Sequence, residues 1–263
     1  MTRLDLDTAL RVAIDAADAA GAILLEGHGI RDKTFSSKAH RNDPVTEYDR
    51  RAEAAIVGRI GEAFPGAGIL GEESGRLGAP SDTEWIIDPL DGTNNFVRGV
   101  PHFAVSIALR SRGEIVVGCI HDPMRGETFT AIRGRGASVN GATMAASHQP
   151  ALAGALVTVG FSYLPARRTR VLDRLPEIAP HARAIRCTGS AALDLAYVAG
   201  GRFDAAWYLS LHEWDVAAAR LLIAEAGGTL TDLSGAPLDD PQRGLLASNG
   251  RFHGALVESL GGG

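Results

Sequence analysis

Apolar side chains at helical spacing mark the first part of the chain. They recur every three or four positions over residues 6–25, and Gly27 and Gly29, a residue type that commonly ends helices, follow them. A second run ends at Pro65 and places its apolar residues four apart: Ala52, Ile56, Ile60 and Phe64. The spacing predicts two helices, and it places Asp49 in the first turn of the second.

The middle of the chain changes to short apolar or alternating runs separated by glycine, aspartate and proline. These runs, typical of strands, predict an antiparallel sheet and cover residues 85–87, 103–110, 115–121 and 128–132. Beyond Pro150, strand-like and helix-like segments alternate, with a strand at 156–159 and a helix at about 215–226. We therefore divide the chain into an α+β subdomain, residues 1–150, and an α/β subdomain, residues 151–263.

Composition indicates an ordinary globular protein. Of the 263 residues, 45% are hydrophobic and 22% are charged, which excludes disordered and collagen-like classes. No apolar run reaches the length of about 18 residues that a membrane-spanning helix needs, and acidic residues interrupt the N-terminal segment. We expect a cytoplasmic protein with no membrane partner. Cys119 and Cys187 are expected to be buried, reduced thiols.

The charge balance argues against nucleic acid as a partner. The formal net charge is −5, and basic residues are scattered apart from short clusters such as Arg167, Arg168 and Arg170. An acidic protein can still bind an anionic phosphate if its carboxylates first bind cations.

The segment WIIDPLDGTNNF at 85–96 is the most informative stretch. A predicted buried strand ends in two carboxylates, Asp88 and Asp91, and Pro89 stiffens the turn between them. The carbonyl of Leu90 adds a third hard oxygen. Such a set suits Mg²⁺ or Mn²⁺.

The next residues of this segment favour an anion. Gly92 and Thr93 permit close approach of backbone amides to a ligand, and a helix starting here would direct its positive end towards a phosphate. Taken alone, the segment is equally compatible with a plain turn and a capping threonine.

Three further carboxylates have both a structural and a functional interpretation. Glu72 follows a short apolar run, where adjacent glutamates are usually solvated. Asp49 complements the dipole of a helix at its first turn, and Asp215 suits the N-cap of another helix. Their meaning depends on whether the fold brings them together.

Three separated motifs resemble the inositol monophosphatase family of Mg²⁺-dependent, Li⁺-sensitive phosphatases. They are GEES at 71–74, WIIDPLDGTNNF at 85–96 and EWDVAAARLLIAEAGG at 213–228. The likeness extends through DPVTEYD at 43–49 to GSAALDLAYVAGG at 189–201. It implies an α+β fold built as a layered αβαβα sandwich, with an antiparallel sheet in the first half, a mixed sheet in the second and the site between them.

The resemblance also implies roles for individual residues. On the family pattern the metal ligands, for two or three Mg²⁺ ions, are Glu72, Asp88, the Leu90 carbonyl, Asp91 and Asp215. Asp49 and Thr93 form a hydrogen-bonded pair that prepares the attacking water together with Glu72. The amides of Gly92 and Thr93 hold the phosphate, so no covalent phosphoenzyme is required.

The resemblance assigns substrate selectivity to a different set of residues. Gly189, Ser190 and Ala191 match the segment that faces the alcohol part of the substrate. Tyr208 stands where inositol-specific members usually carry a glutamate, and a tyrosine cannot offer a carboxylate to a polyol. A small phosphate monoester is therefore the expected substrate, and histidinol phosphate is the alternative to an inositol phosphate.

A role of a different class also follows from the resemblance. Some bacterial relatives bind components of the transcription machinery, so an interaction protein is the second hypothesis. Catalysis is preferred because four clustered carboxylates repel one another unless cations compensate them. A homodimer is expected from the family alone.

Overall fold

The computed structural model describes residues 4–30, 35–37, 44–79, 81–162 and 165–261. Within these ranges seven α-helices are present: α1 Leu6–Gly27, α2 Glu47–Ala63, α3 Thr93–Arg98, α4 Pro165–Ile178, α5 Ala191–Ala199, α6 Glu213–Glu225 and α7 His253–Gly261. Two short 3₁₀ helices cover Leu152–Gly154 and Pro241–Arg243. The residue Asp43 of the motif at 43–49 lies outside the described residues.

Strands of the first half are β1 Phe35–Ser37, β2 Pro44–Thr46, β3 Gly68–Gly71, β4 Gly75–Leu77, β5 Thr83–Asp91, β6 Ala104–Ser111, β7 Glu114–Asp122, β8 Glu127–Ile132, β9 Ala137–Val139 and β10 Ala142–Met144. Strands of the second half are β11 Leu156–Val159, β12 Ala184–Arg186, β13 Ala205–Tyr208, β14 Thr229–Thr231 and β15 Leu245–Ser248. β1 and β2 form a separate antiparallel pair.

The first large sheet has eight strands in the order β10-β9-β8-β7-β6-β5-β3-β4. Adjacent strands in this sheet are antiparallel, as expected, except β3 and β5, which pair in parallel. The exception arises because β3 turns back into the edge strand β4, and the chain then crosses to the other side of β3 to enter β5. The predicted antiparallel sheet is therefore present, and this one parallel pair makes it mixed.

The second sheet has five strands in the order β12-β11-β13-β15-β14. β11 is parallel to β12 and β13, whereas β15 is antiparallel to β13 and β14. This sheet is mixed, as predicted.

The helices and sheets stack in five layers. α1 and α2 cover one face of the first sheet, α5 and α6 lie between the two sheets, and α4 and α7 pack together against the second sheet. Each interface has its own cluster of buried apolar side chains. The period-two alternation of a strand divides β5 between them, with Trp85 and Ile87 facing α1 and α2 while Ile86 faces α5 and α6. The predicted αβαβα sandwich is confirmed.

Most predicted elements are present, with small shifts at their ends. The two N-terminal helices match α1 and α2, and Asp49 lies in the first turn of α2. α6 begins at Glu213 with His212 as its N-cap, so the N-cap interpretation of Asp215 was wrong. Asp215 instead occupies the third helical position, where its carboxylate accepts a hydrogen bond from the N-cap amide at 2.7 Å.

The structure bears on the predictions for the two cysteines and for a membrane-spanning helix. Both cysteines are free thiols, and Cys119 is buried, but Cys187 is exposed. Cys187 follows the edge strand β12 on the loop to α5, which leaves it at the surface and makes the expectation of burial wrong there. No helix of the described ranges is long and apolar enough to cross a membrane.

Candidate active site

A β-bulge brings Asp88 and Asp91 to the same face of the first sheet. Residues three apart in a regular strand point to opposite faces. Asp88 pairs with Ser106 of β6 and Asp91 pairs with Ala104, so β5 contains one more residue than β6 between the two pairs. Pro89, which cannot donate to the ladder, lies in this bulge. Because Ser106 and Ala104 share a face, both carboxylates share it too.

This face of the sheet is the one that α6 covers. The hydroxyl of Ser106 donates to the carbonyl of Trp214 on α6 at 3.2 Å, and Asp215 follows directly in the chain. Carboxylate oxygens of Asp88, Asp91 and Asp215 lie within 4.8 Å of one another. Residues from both halves of the chain therefore meet at one point between the layers.

Glu72 reaches this group through Asp88. It lies half-buried just after β3, where its amide donates to the Ile87 carbonyl at 3.2 Å. The carboxyl groups of Glu72 and Asp88 form a hydrogen bond with each other, so one of them must carry a proton. Burial and the nearby charges of Glu72, Asp91 and Asp215 raise the pKa of Asp88 well above its ordinary value.

Asp91 is held by the start of α5. One of its oxygens, Oδ2, accepts from the hydroxyl of Ser190 and from the amide of Ala192 at 2.9 Å. These hydrogen bonds favour the charged form, but burial outweighs them and raises the pKa of Asp91 to about 6. Ser190, which is buried, thus contacts a predicted metal ligand directly.

Asp49 and Thr93 approach each other across the site. The Thr93 hydroxyl lies 3.4 Å from Oδ1 of Asp49 and 3.1 Å from the carbonyl of Leu90, a predicted ligand. The other oxygen of Asp49 accepts from the amide and hydroxyl of Thr46 at 2.8 and 2.5 Å, which completes a capping box. Asp49 therefore makes both contacts that the sequence suggested, one within the capping box and one with Thr93.

Two glycines allow the loops from the two halves to touch. Gly92 caps α3 with a φ of 93°, and a Cβ on it would lie 3.2 Å from the carbonyl oxygen of Gly189. Gly189 has a φ of 91°, and a Cβ there would lie 2.9 Å from the side chain of Asn95. Asn95 in turn donates to the carbonyl of Thr188 at 2.8 Å. Only glycine permits this approach without strain.

Tyr208, predicted to face the alcohol part of the substrate, points its hydroxyl into the protein. The hydroxyl donates to Oδ2 of Asp194 at 2.6 Å, and only 5% of the residue is exposed. Burial and the charge of Asp194 raise the pKa of Tyr208 well above its ordinary value, so the phenol keeps its proton. Ala191 is the first residue of α5, next to Ser190.

Sequence reasoning missed a second buried carboxylate of α2. Glu53 is 5% exposed, and its Oε2 accepts from the amide of Glu73 at 2.9 Å. It lies four residues after Asp49, so both project from the same face of the helix. A charged residue at helical spacing within the apolar stripe was the signal that could have identified it.

The donor set suits a hard divalent cation. Its members are carboxylate and carbonyl oxygens, the ligands that Mg²⁺ prefers. The three carboxylates that approach within 4.8 Å of one another are therefore of the type that such a cation binds.

Comparison with known proteins agrees with this geometry. A profile described as the inositol monophosphatase family matches residues 5–261. The Nus factor SuhB of Pseudomonas aeruginosa is 40% identical over 261 residues, which cover 95% of each chain. The extragenic suppressor protein suhB from Bartonella henselae superposes with a TM-score of 0.92 at 39% identity, covering 97% of this chain and 99% of that one.

A solved phosphatase is similarly close. The Thermotoga maritima IMPase has a TM-score of 0.89 at 35% identity and covers 96% of both chains. The family is Mg²⁺-dependent, which agrees with the acidic cluster found here. The chain therefore belongs to the inositol monophosphatase family and is a phosphoric monoester hydrolase.

Proposed function

We propose that this hydrolase uses two or three Mg²⁺ ions, or Mn²⁺ in their place, bound by the carboxylates of Glu72, Asp88, Asp91 and Asp215 and by the Leu90 carbonyl. The observation that carries the proposal is the meeting of Asp88, Asp91 and Asp215 within 4.8 Å at one face of the sheet. Carboxylates at this separation repel one another unless cations compensate them.

When bound, the cations supply positive charge to the phosphate and acidity to the attacking water. The chain orients that water through Thr93 and Asp49. A Thr93 hydroxyl that donates to Asp49 keeps its lone pairs for an O–H of the water, and Glu72 accepts the second O–H. The 3.4 Å contact between Thr93 and Asp49 is long, and such contacts tighten when substrate binds.

The phosphate is proposed to lie against the amides of Gly92 and Thr93. The loop Gly189–Ala191 is proposed to border the alcohol part of the substrate, because Gly189 touches Gly92. Inositol phosphate is the first candidate on the strength of the family, and histidinol phosphate remains the alternative because Tyr208 offers no carboxylate.

A second function is proposed on a separate observation. Relatives that are 40% identical over 95% of the chain are named Nus factors, which favours an additional role in binding the transcription machinery.

We also propose that the chain forms a homodimer and that residues 1–150 and 151–263 act as subdomains. The position of α6 between the two sheets makes them interdependent, because Asp215 from the second half completes the site.

A substrate panel tests the proposed function. We expect Mg²⁺-dependent phosphate release from one member among inositol 1-phosphate, histidinol phosphate, fructose 1,6-bisphosphate, NADP and 3′-phosphoadenosine 5′-phosphate. EDTA should abolish the release, and Li⁺ should inhibit it. An Asp215→Asn variant serves as the catalytic control. If no member is turned over while Mn²⁺ still binds by calorimetry, these substrates are excluded and binding to the transcription machinery becomes the leading function.

Glu53 gives a test of how the Glu72 loop is held. Glu53→Leu removes the acceptor for the Glu73 amide, so Glu72 should shift and kcat/KM should fall by about a hundredfold, as for small misplacements in other active sites. Glu53→Gln keeps an oxygen acceptor and should retain most activity. Glu62→Leu, at an exposed position of the same helix, is the matched control. Unchanged kinetics in Glu53→Leu would show that the loop needs no support from α2.

A further inference from the structure

A buried carboxylate outside the proposed ligand set lies behind the active site. Asp194 on α5 is 1% exposed and accepts hydrogen bonds from three hydroxyl groups. The donors are Thr188 at 2.5 Å, Tyr208 at 2.6 Å and Thr158 at 2.8 Å. No cationic side chain pairs with Asp194 within the described residues, so these hydroxyls are what stabilise the carboxylate in its buried position.

The hydroxyl cluster is connected to Asp91 by a short turn. Thr188 is fixed at both ends, because its hydroxyl binds Asp194 and its carbonyl accepts from Asn95 at 2.8 Å. Two residues later, Ser190 donates to Asp91. Asp194 and the donors to Asp91 therefore hold opposite sides of one turn, and a change at either side is transmitted over few bonds.

The orientation of Tyr208 is fixed by packing as well as by its hydrogen bond. The ring lies directly against the backbone of Gly160, where an added Cβ would come within 2.1 Å of the ring carbon Cε1. Any side chain at position 160 would therefore displace the ring. With 5% exposure and its single proton given to Asp194, the tyrosine has no donor left for a substrate.

We propose that Tyr208 is a positioning residue: through Asp194 it fixes the turn of residues 188–192 that orients Asp91, and it does not select the substrate by direct contact. The proposal rests on the proposed function, because it assumes that Asp91 binds the catalytic cation. It reassigns Tyr208 from the alcohol side of the substrate to the support of the metal site. Substrate selectivity is then determined by other groups around the site.

The Tyr208→Phe variant of the full-length protein separates the two roles. Positioning predicts that Mn²⁺ binds about tenfold more weakly in calorimetry, equivalent to about 1.4 kcal/mol. It also predicts that kcat/KM falls by a common factor for every accepted phosphate, with the ratio between substrates unchanged within about twofold. Tyr197→Phe, the same change in a ring that packs against Phe203, is the matched control.

Variants at Thr188 distinguish the loss of a hydroxyl from the hydrogen-bonded cluster from a loss of packing around the Tyr208 ring. Thr188→Val removes the hydroxyl at nearly constant volume and should weaken Mn²⁺ binding as Tyr208→Phe does. Thr188→Ser keeps the hydroxyl and should bind Mn²⁺ as tightly as the wild type. Unchanged Mn²⁺ binding in Tyr208→Phe would overturn the proposal, and a change of more than about tenfold in the ratio between substrates would show instead that Tyr208 selects the substrate. If the wild-type protein hydrolyses none of the phosphates, the proposed function fails, and the Mn²⁺ titration still decides the role of Tyr208.

Discussion

Asp88→Asn is expected to abolish phosphate release while leaving the protein folded. Asp88 is the most buried of the three clustered carboxylates, and losing its charge removes a proposed metal ligand. Even partners that only support a metal ligand contribute about 10- to 100-fold, so a loss of more than about a thousandfold is expected for the ligand itself. Phosphate release at saturating Mg²⁺ measures the effect.

The same variant should be at least as stable as the wild type in EDTA. Asparagine keeps the oxygen that accepts from the Leu90 amide at 2.9 Å, so the bulge retains its hydrogen bond. It also removes a buried charge that faces other carboxylates. Asp173→Asn, at an exposed position of α4, controls for a general effect of losing one charge. Full turnover by Asp88→Asn would contradict the proposed metal site.

Local pattern predicted the elements because each obeys a single period. α1 and α2 follow from apolar residues three or four apart, and the central strands follow from short apolar runs between turn residues. The parallel pairing of β3 with β5 was not predictable, since it depends on the path that the chain takes around an edge strand. Periodicity describes one element and carries no information about its neighbour.

The sequence likewise predicted some features of the candidate site and not others. The motif containing Asp88 and Asp91 pointed to a metal site from residue types and spacing alone, although the bulge that aligns them became visible only from the pairing with β6. The direction of Tyr208 could not be predicted, because it depends on Gly160 and Asp194, which are distant from it in the chain. Glu53 was missed because a charged side chain on a helix is usually solvated, even when its spacing places it within the apolar stripe.

The metal-free protein is expected to become less stable as the pH rises, and Mg²⁺ should offset much of this loss. The pKa of Asp91 rises from 3.8 to about 6, and the pKa of Asp88 also lies well above its ordinary value. Between the unfolded and folded pKa values, the native state binds more protons than the unfolded state. The free energy of unfolding must therefore fall as the pH rises through that window.

For Asp91 alone, the rise in pKa corresponds to a loss of about 3 kcal/mol between about pH 4 and pH 6. In a protein of this size, that loss lowers Tm by about 6 to 12 °C. Buried histidines such as His121 and His253 oppose the trend below about pH 6.5, because their lowered pKa values make the native state bind fewer protons. The clearest comparison is therefore the stability of Asp88→Asn minus that of the wild type in EDTA, which should grow as the pH rises to 8.

Adding Mg²⁺ should make that difference smaller at pH 8. A cation binds the wild-type carboxylates in their charged form, so at about 100 times its Kd it contributes about 2.7 kcal/mol to the folded state. It contributes little to Asp88→Asn, so at pH 8 the wild type should gain about 2.7 kcal/mol of stability relative to the variant. Thermal unfolding of both proteins at pH 5 and pH 8, with EDTA or Mg²⁺, provides the measurement. If the difference between the proteins were independent of both pH and Mg²⁺, Asp88 would be neither a strained carboxylate nor a cation ligand, because either property couples its charge to folding.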